Sequence, residues 1–191
     1  MRLEPTAISG VLLVHLDSVS DERGTFTRTF CAEEFVAAGL DPVVAQCSVS
    51  TNRLEGTLRG MHLQRSPHGE TKLIRCTAGA IFDVAVDTRP DSATFGHWLG
   101  FELERSDALA LVLAPGIAHG FLTLTTDAEI QYQISQNYHP DAVVGFRWDD
   151  PAVGIRWPSR PTAISDRDEL LPSLAMMHEP SQHEANSEED R

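Results

Sequence analysis

The sequence predicts an all-β domain, a sandwich or barrel with a few short helices. Three observations lead there. Six short runs in the middle of the chain (57–64, 72–76, 80–88, 109–114, 120–124 and 128–135) are rich in β-branched or apolar residues. Turn-forming sequences separate them: Ser66-Pro67-His68-Gly69, Ala78-Gly79, Arg89-Pro90-Asp91-Ser92 and Pro115-Gly116. Several short strands at a spacing near ten residues are the mark of a sandwich or barrel.

Taken in chain order, Asp21-Glu22-Arg23-Gly24-Thr25-Phe26 reads as a turn that presents an arginine and an aromatic ring. Residues 32–38 form the clearest helix candidate, with Gly39 as its stop. A second helix is expected after Ser165-Asp166, since both residues can cap.

The chain of 191 residues fits one domain, with 41% hydrophobic and 23% charged residues. The domain is expected over 1–175, and an acidic tail without a fold over 176–191. From 178 to 191 the chain has five carboxylates against Arg191 and no large apolar residue. A formal net charge of −13 repels a phosphate backbone and argues against nucleic-acid polymers as partners. No apolar run approaches the ~20 residues of a membrane helix, and no secretory leader is visible at Met1-Arg2-Leu3-Glu4-Pro5. Cys31, Cys47 and Cys76 form no CxxC pair, which fits reduced thiols in a cytoplasmic protein.

The run 57–64 carries the first chemistry. Strict alternation puts His62 and Gln64 on one face and Arg59 on the other. A bulge at Gly60 would re-aim the strand so that both faces reach one pocket. The same pattern also fits a core histidine beside a surface arginine. Lys72 shares a face with Ile74 and Cys76, where an ammonium needs a partner or a route to solvent. Asp83 lies among Phe82, Val84 and Val86. It either faces water or, if both sheet faces are covered, pairs with Lys72 or His62. The tight turn at Pro115-Gly116 delivers His119 into a strand. Tyr132 shares the face of Ile130 and Ile134, which turns its hydroxyl inward in search of a partner. A metal site of cupin type would want an HxH pair. Here His62 is followed by Leu63-Gln64, so only His68, Glu70 and His119 remain to complete one, and no metal is expected.

In their order and spacing these segments resemble the dTDP-4-dehydrorhamnose 3,5-epimerase family over roughly residues 8–172. The residues that carry the resemblance are Asp21–Phe26, Gly56-Thr57-Leu58-Arg59-Gly60-Met61-His62-Leu63-Gln64, Lys72-Leu73, the run from Asp83 to Arg89, Pro115-Gly116-Ile117-Ala118-His119-Gly120-Phe121, Tyr132, Asn137-Tyr138, Trp148-Asp149-Asp150-Pro151 and Ser165-Asp166-Arg167-Asp168. The resemblance implies a jelly-roll, cupin-like homodimer that needs no metal or organic cofactor and acts on a nucleotide-diphospho 4-keto-6-deoxy sugar. It implies His62 as general base, Asp168 as its dyad partner, Tyr132 as the acid on the opposite face and Lys72 as the enolate stabiliser. Arg23, Arg59 and His119 would hold diphosphate and sugar, Phe26 and Tyr138 would pack on the base, and Gln46, Ser48, Asp83 and Arg167 complete the implied binding set. Arg23 and Phe26 would reach the neighbouring subunit's pocket.

Those residue types suit the reaction. Removing a proton α to a ketone needs a base poised near neutral pH. The charge that develops on the C4 oxygen needs a cation, and inversion needs a proton donor on the other face. The chain departs from the family pattern at Arg28, where a glutamate is usual. It departs also at Ser48 of Gln46-Cys47-Ser48, at Val143 and at Arg167. These departures fall mostly on nucleotide recognition and leave the catalytic set intact. Three further readings stay open: an epimerase of C3 or C5 alone, a sugar-nucleotide-binding cupin without catalysis, and a metal-dependent cupin.

Overall fold

The computed structural model describes residues 1–178. In chain order its elements are β1 (Arg2–Pro5), β2 (Val11–His15), β3 (Asp17–Asp21), β4 (Gly24–Arg28), α1 (Ala32–Ala37), β5 (Gln46–Asn52), β6 (Leu58–Gln64), β7 (Lys72–Ala78), β8 (Ala80–Asp87), β9 (Trp98–Glu104), β10 (Leu109–Leu113), β11 (Ile117–Thr123), β12 (Ala128–Ile134), β13 (Val143–Gly145), α2 (Asp166–Glu169) and α3 (Leu174–Met177). Two antiparallel sheets face each other in a jelly-roll sandwich. One has the order β1-β2-β10-β7-β12-β5, the other β13-β6-β11-β8-β9, and β3-β4 stands apart as a hairpin.

Each of the six expected strands is present within a few residues of its expected bounds. The run expected from 120 starts earlier, at Ile117, because the turn is complete at Gly116, which holds φ +81°. Strands β1 to β5, β9 and β13 were not among the expected runs. Strand β5 (Gln-Cys-Ser-Val-Ser-Thr-Asn) and the hairpin are polar and largely exposed, and their ladder bonds need no apolar face.

Three buried clusters explain why the central strands do not alternate. Ile74, Ile81, Leu103, Leu111, Phe121 and Ile130 fill the space between the sheets. Phe35 of α1 and Leu16 cover the outer face of the first sheet at Val14, Leu73, Ala110 and Val112. Val153, Leu174 and Met177 cover the outer face of the second at Met61, Val84, Val86 and Ala118. With both faces covered, β11 is buried along its whole length, as a doubly packed strand must be. Burial of Met177 in α3 carries the folded chain past residue 175, where the tail was expected to begin. The rest of that expected tail, 179–191, lies outside the described residues.

The bulge expected at Gly60 is present and sets the geometry of β6. His62 pairs with His119 and Arg59 with Phe121, so Gly60 and Met61 together oppose the single Gly120. Gly60 holds φ +128°, and a Cβ there would lie 2.5 Å from the Gly120 Cα, so only glycine fits. The extra residue brings Arg59 and His62 to the same face.

Candidate active site

A cavity of about 410 Å³ opens between the sheets. Strand β6 supplies Arg59, His62 and Gln64, and β11 supplies His119. From the opposite sheet β7 supplies Lys72, β12 supplies Tyr132, and β5 supplies Gln46, Ser48 and Ser50. Tyr138 stands at the rim, and Arg167 and Asp168 of α2 close one side. The sequence-expected His62, Lys72, Tyr132, Asp168, Gln46, Ser48, Arg59, His119, Tyr138 and Arg167 therefore share one cavity.

Ser165 caps α2 by accepting a hydrogen bond from the Asp168 N–H at 3.1 Å, which fixes where the Asp168 side chain starts. One Asp168 oxygen lies 2.8 Å from His62 Nε2, and the other accepts the Gly60 N–H at 3.1 Å. Burial opposes the Asp168 charge. The hydrogen bond and charge of His62, the Gly60 N–H and the Arg167 charge outweigh it, and the carboxyl is held below its usual value. A carboxylate can only accept, so Nε2 carries a proton, and in the neutral imidazole the lone pair lies on Nδ1. The imidazole is 33% exposed and so remains open to the cavity. Gly145 packs close behind this strand, since a Cβ there would lie 2.3 Å from the Met61 carbonyl oxygen and 3.2 Å from His62 Cδ2.

Lys72 Nζ lies 2.9 Å from Glu70 Oε1 and 3.4 Å from the His62 carbonyl. Its nearly buried ammonium is thus paired. Tyr132 presents its ring edge-on to His119 at 5.8 Å. Burial first, and the Asp83 charge second, push the phenol well above its usual value against the opposing charge of Arg59, so it stays protonated. Arg59 is held by Nε to Asn52 Oδ1 at 2.8 Å. Asn52 is anchored in turn by its amide to the carbonyls of Ser50 and Ala128. Neither Asn52 nor Glu70 was singled out in these roles from sequence, because the contacts arise only when the sheets assemble.

Three expected binding residues lie elsewhere. Asp83 is fully buried and does not line the cavity. It pairs with neither Lys72 nor His62 but with His119 Nε2 at 2.8 Å. The cause is register: Phe121 opposes Asp83, which makes His119 the diagonal neighbour on the same face. Arg23 and Phe26 sit on the β3-β4 hairpin, away from this chain's own cavity. Phe26 is 78% exposed beside its cross-strand neighbour Val19, and the Arg23 guanidinium bonds Asp21.

His68, Glu70 and His119 do not converge: His68 stacks on His139, Glu70 bonds Lys72, and His119 bonds Asp83. Among the described residues no three His, Cys, Asp or Glu side chains are grouped to hold a metal ion. The cysteines are all unpaired, and burial pushes the Cys76 thiol up to about 11. No described helix is long and apolar enough to cross a membrane. A larger cavity of about 580 Å³, lined by Arg65, Arg89, Pro115 and Met177, holds no paired acid and base, so volume alone does not mark the reactive site.

Comparison with known proteins accords with this arrangement. Residues 5–176 match the family model of dTDP-4-dehydrorhamnose 3,5-epimerase. The protein of that name from Sinorhizobium fredii (strain NBRC 101917 / NGR234) is 39% identical over 175 residues, 91% of this chain and 90% of the relative. A 4-keto-6-deoxy sugar epimerase from the novobiocin biosynthetic gene cluster of Streptomyces spheroides superposes with a TM-score of 0.88 at 35% identity, covering 92% of this chain and 88% of that one. A 3'-monoepimerase from Streptomyces bikiniensis, solved with dTDP-quinovose, gives 0.86 at 35% identity over 97% and 96% of the two chains.

Proposed function

The chain belongs to the dTDP-4-dehydrorhamnose 3,5-epimerase family, and we propose that it epimerises a dTDP-4-keto-6-deoxy hexose at the carbons flanking the C4 ketone. One observation carries the reading: a histidine with a free basic nitrogen and a protonated tyrosine come from opposite sheets into one cavity. A sugar ring lying between the sheets meets a base on one face and an acid on the other.

In this assignment His62 Nδ1 removes the proton at C3 or C5. The C–H electron pair moves onto the C4 oxygen, and the resulting enolate is held by the Lys72 ammonium. A preorganised donor of this kind is worth about 10²–10³ in rate. Tyr132 then delivers its hydroxyl proton to the opposite face of the same carbon, which inverts it. Asp168 keeps the imidazole in the tautomer that leaves Nδ1 basic and stabilises the imidazolium once formed. Both carbons are α to one carbonyl, so a single enolate stabiliser serves both in turn. Arg59 and Arg167 form the local positive lining that a diphosphate requires inside an acidic protein, with His119 beside them as a hydrogen-bonding group.

We assign the working unit as a homodimer. Arg23 and Phe26 stand on a projecting hairpin with no contact to their own cavity, which suits residues that complete a partner's site. The expected result in sedimentation is a species of twice the chain mass. Unpaired cysteines fit a reducing, cytoplasmic setting.

The test is wash-in of solvent deuterium. Incubation with dTDP-4-keto-6-deoxyglucose in D2O should label both C3 and C5, as read by proton NMR. Label at C3 alone supports the second reading, a 3-epimerase, which the likeness to a 3'-monoepimerase favours. No label at either carbon would overturn both.

A further inference from the structure

Gln64 is a buried side chain of β6 whose polar atoms are all engaged. Its Nε2 lies 2.7 Å from Glu70 Oε2, 3.2 Å from the Asn137 carbonyl and 3.3 Å from the His68 carbonyl. Its Oε1 accepts the His139 N–H at 2.7 Å. The orientation of the amide follows from these partners. Turned over, the carbonyl would face three oxygens and the NH2 would face an N–H. The other Glu70 oxygen holds Lys72 Nζ at 2.9 Å. A continuous polar chain therefore runs from the His139 N–H through Gln64 and Glu70 to the Lys72 ammonium. The residue between Asn137 and His139 is Tyr138, at the rim of the cavity.

We propose that Gln64 is a positioning residue that sets two parts of the site together: through Glu70 it fixes the Lys72 ammonium, and through the backbone of Asn137 and His139 it holds Tyr138 against the cavity. The proposal rests on the assignment of Lys72 to the enolate oxygen. An ammonium on a flexible four-carbon stem has no preferred direction of its own, so Glu70 supplies the direction and Gln64 supplies that of Glu70. Misplacement of a reacting group by about 1 Å can cost about 10²-fold in rate. Glu70 bonds Lys72, whereas Gln64 bonds the segment 137–139 directly and reaches Lys72 through Glu70.

The experiment compares Gln64→Glu, Glu70→Gln and Lys72→Met. It measures kcat for deuterium wash-in, the Kd of dTDP and thermal unfolding. Gln64→Glu preserves shape but sets a carboxylate against Glu70 and two carbonyls. It should lower kcat about 10²-fold and weaken dTDP about tenfold as the Tyr138 segment is released. Glu70→Gln should lower kcat about tenfold and leave the dTDP Kd within about twofold, because it keeps the segment 137–139 tied to Gln64. This split between kcat and Kd is one that a general loss of packing does not produce. If Gln64→Glu does not fold, Gln64→Met carries the same expectation without the added charge.

Wild-type kcat or wild-type dTDP affinity in the Gln64 variants overturns the joint role. Lys72→Met should lose about 10²–10³-fold. If it retains exchange, the assignment of Lys72 is wrong. If it is inactive while the Gln64 and Glu70 variants are normal, the positioning role alone is wrong.

Discussion

Two histidines line the same cavity, each bonded to an aspartate at 2.8 Å through Nε2, and the two pairs are built differently. His119 and Asp83 lie on adjacent strands and are 6% and 0% exposed. His62 is 33% exposed, and its aspartate is carried from the far end of the chain by a capped turn of helix. The second oxygen of Asp168 is pinned by the Gly60 N–H, whereas Asp83 Oδ1 has no partner among the described residues. Both aspartates call for a proton on Nε2, but only the pinned pair has an imidazole open to the cavity. The buried pair stiffens a wall and places a negative charge near Tyr132. The contrast teaches that a His–Asp contact distance says little about role. The second oxygen and the access to substrate decide it.

Asp168→Asn should give the largest break. The Asn carbonyl will accept from Gly60, which turns the amide NH2 toward His62 Nε2 and moves the imidazole proton to Nδ1. A base in the wrong tautomer loses about 10⁴-fold in rate, as in serine-protease triads. Deuterium wash-in should fall by that amount with dTDP binding unchanged. Asp168→Ala, which imposes no tautomer, should be no worse. Tyr132→Phe comes next. Net inversion should fall about 10²-fold, at the low end for loss of a proton donor, while loss of the substrate proton to D2O persists. Equal loss of both would show that Tyr132 is not the specific acid.

His119→Ala should act on the other pair. It should raise KM about tenfold with little change in kcat. It should also cost about 3 kcal/mol of stability, because Asp83 is left buried without its partner. The reverse pattern would exchange the roles of the two pairs. The smallest effect is in pH. The folded Asp168 pKa is depressed, so its stabilisation is fully present above its unfolded value of about 3.9. It is lost as pH falls through the folded value. The stability gap between wild type and Asp168→Asn should therefore hold at neutral pH and shrink below about pH 4.

The central strands were legible in the sequence because apolar runs and glycine turns report burial directly, and Gly60 announced its own bulge. The polar strands β3, β4 and β5 were not, since edge and hairpin ladders are held by backbone groups that leave no side-chain pattern. Asp83 read either as facing water or, if covered, as pairing with Lys72 or His62, and only the β8-β11 register selects His119. The pairing of His62 with Asp168, 106 residues apart, came from family resemblance and not from spacing. Gln64 stood in view beside His62, yet its partners at 70, 137 and 139 become neighbours only after folding.

The most direct test follows deuterium incorporation into dTDP-4-keto-6-deoxyglucose with wild-type protein and His62→Ala side by side in D2O. Label at C3 and C5 is expected with the wild type and, in the variant, a loss of about 10²–10⁴-fold at both carbons with dTDP affinity retained. Wash-in at near-normal rate by His62→Ala would contradict the assignment of His62 as the base.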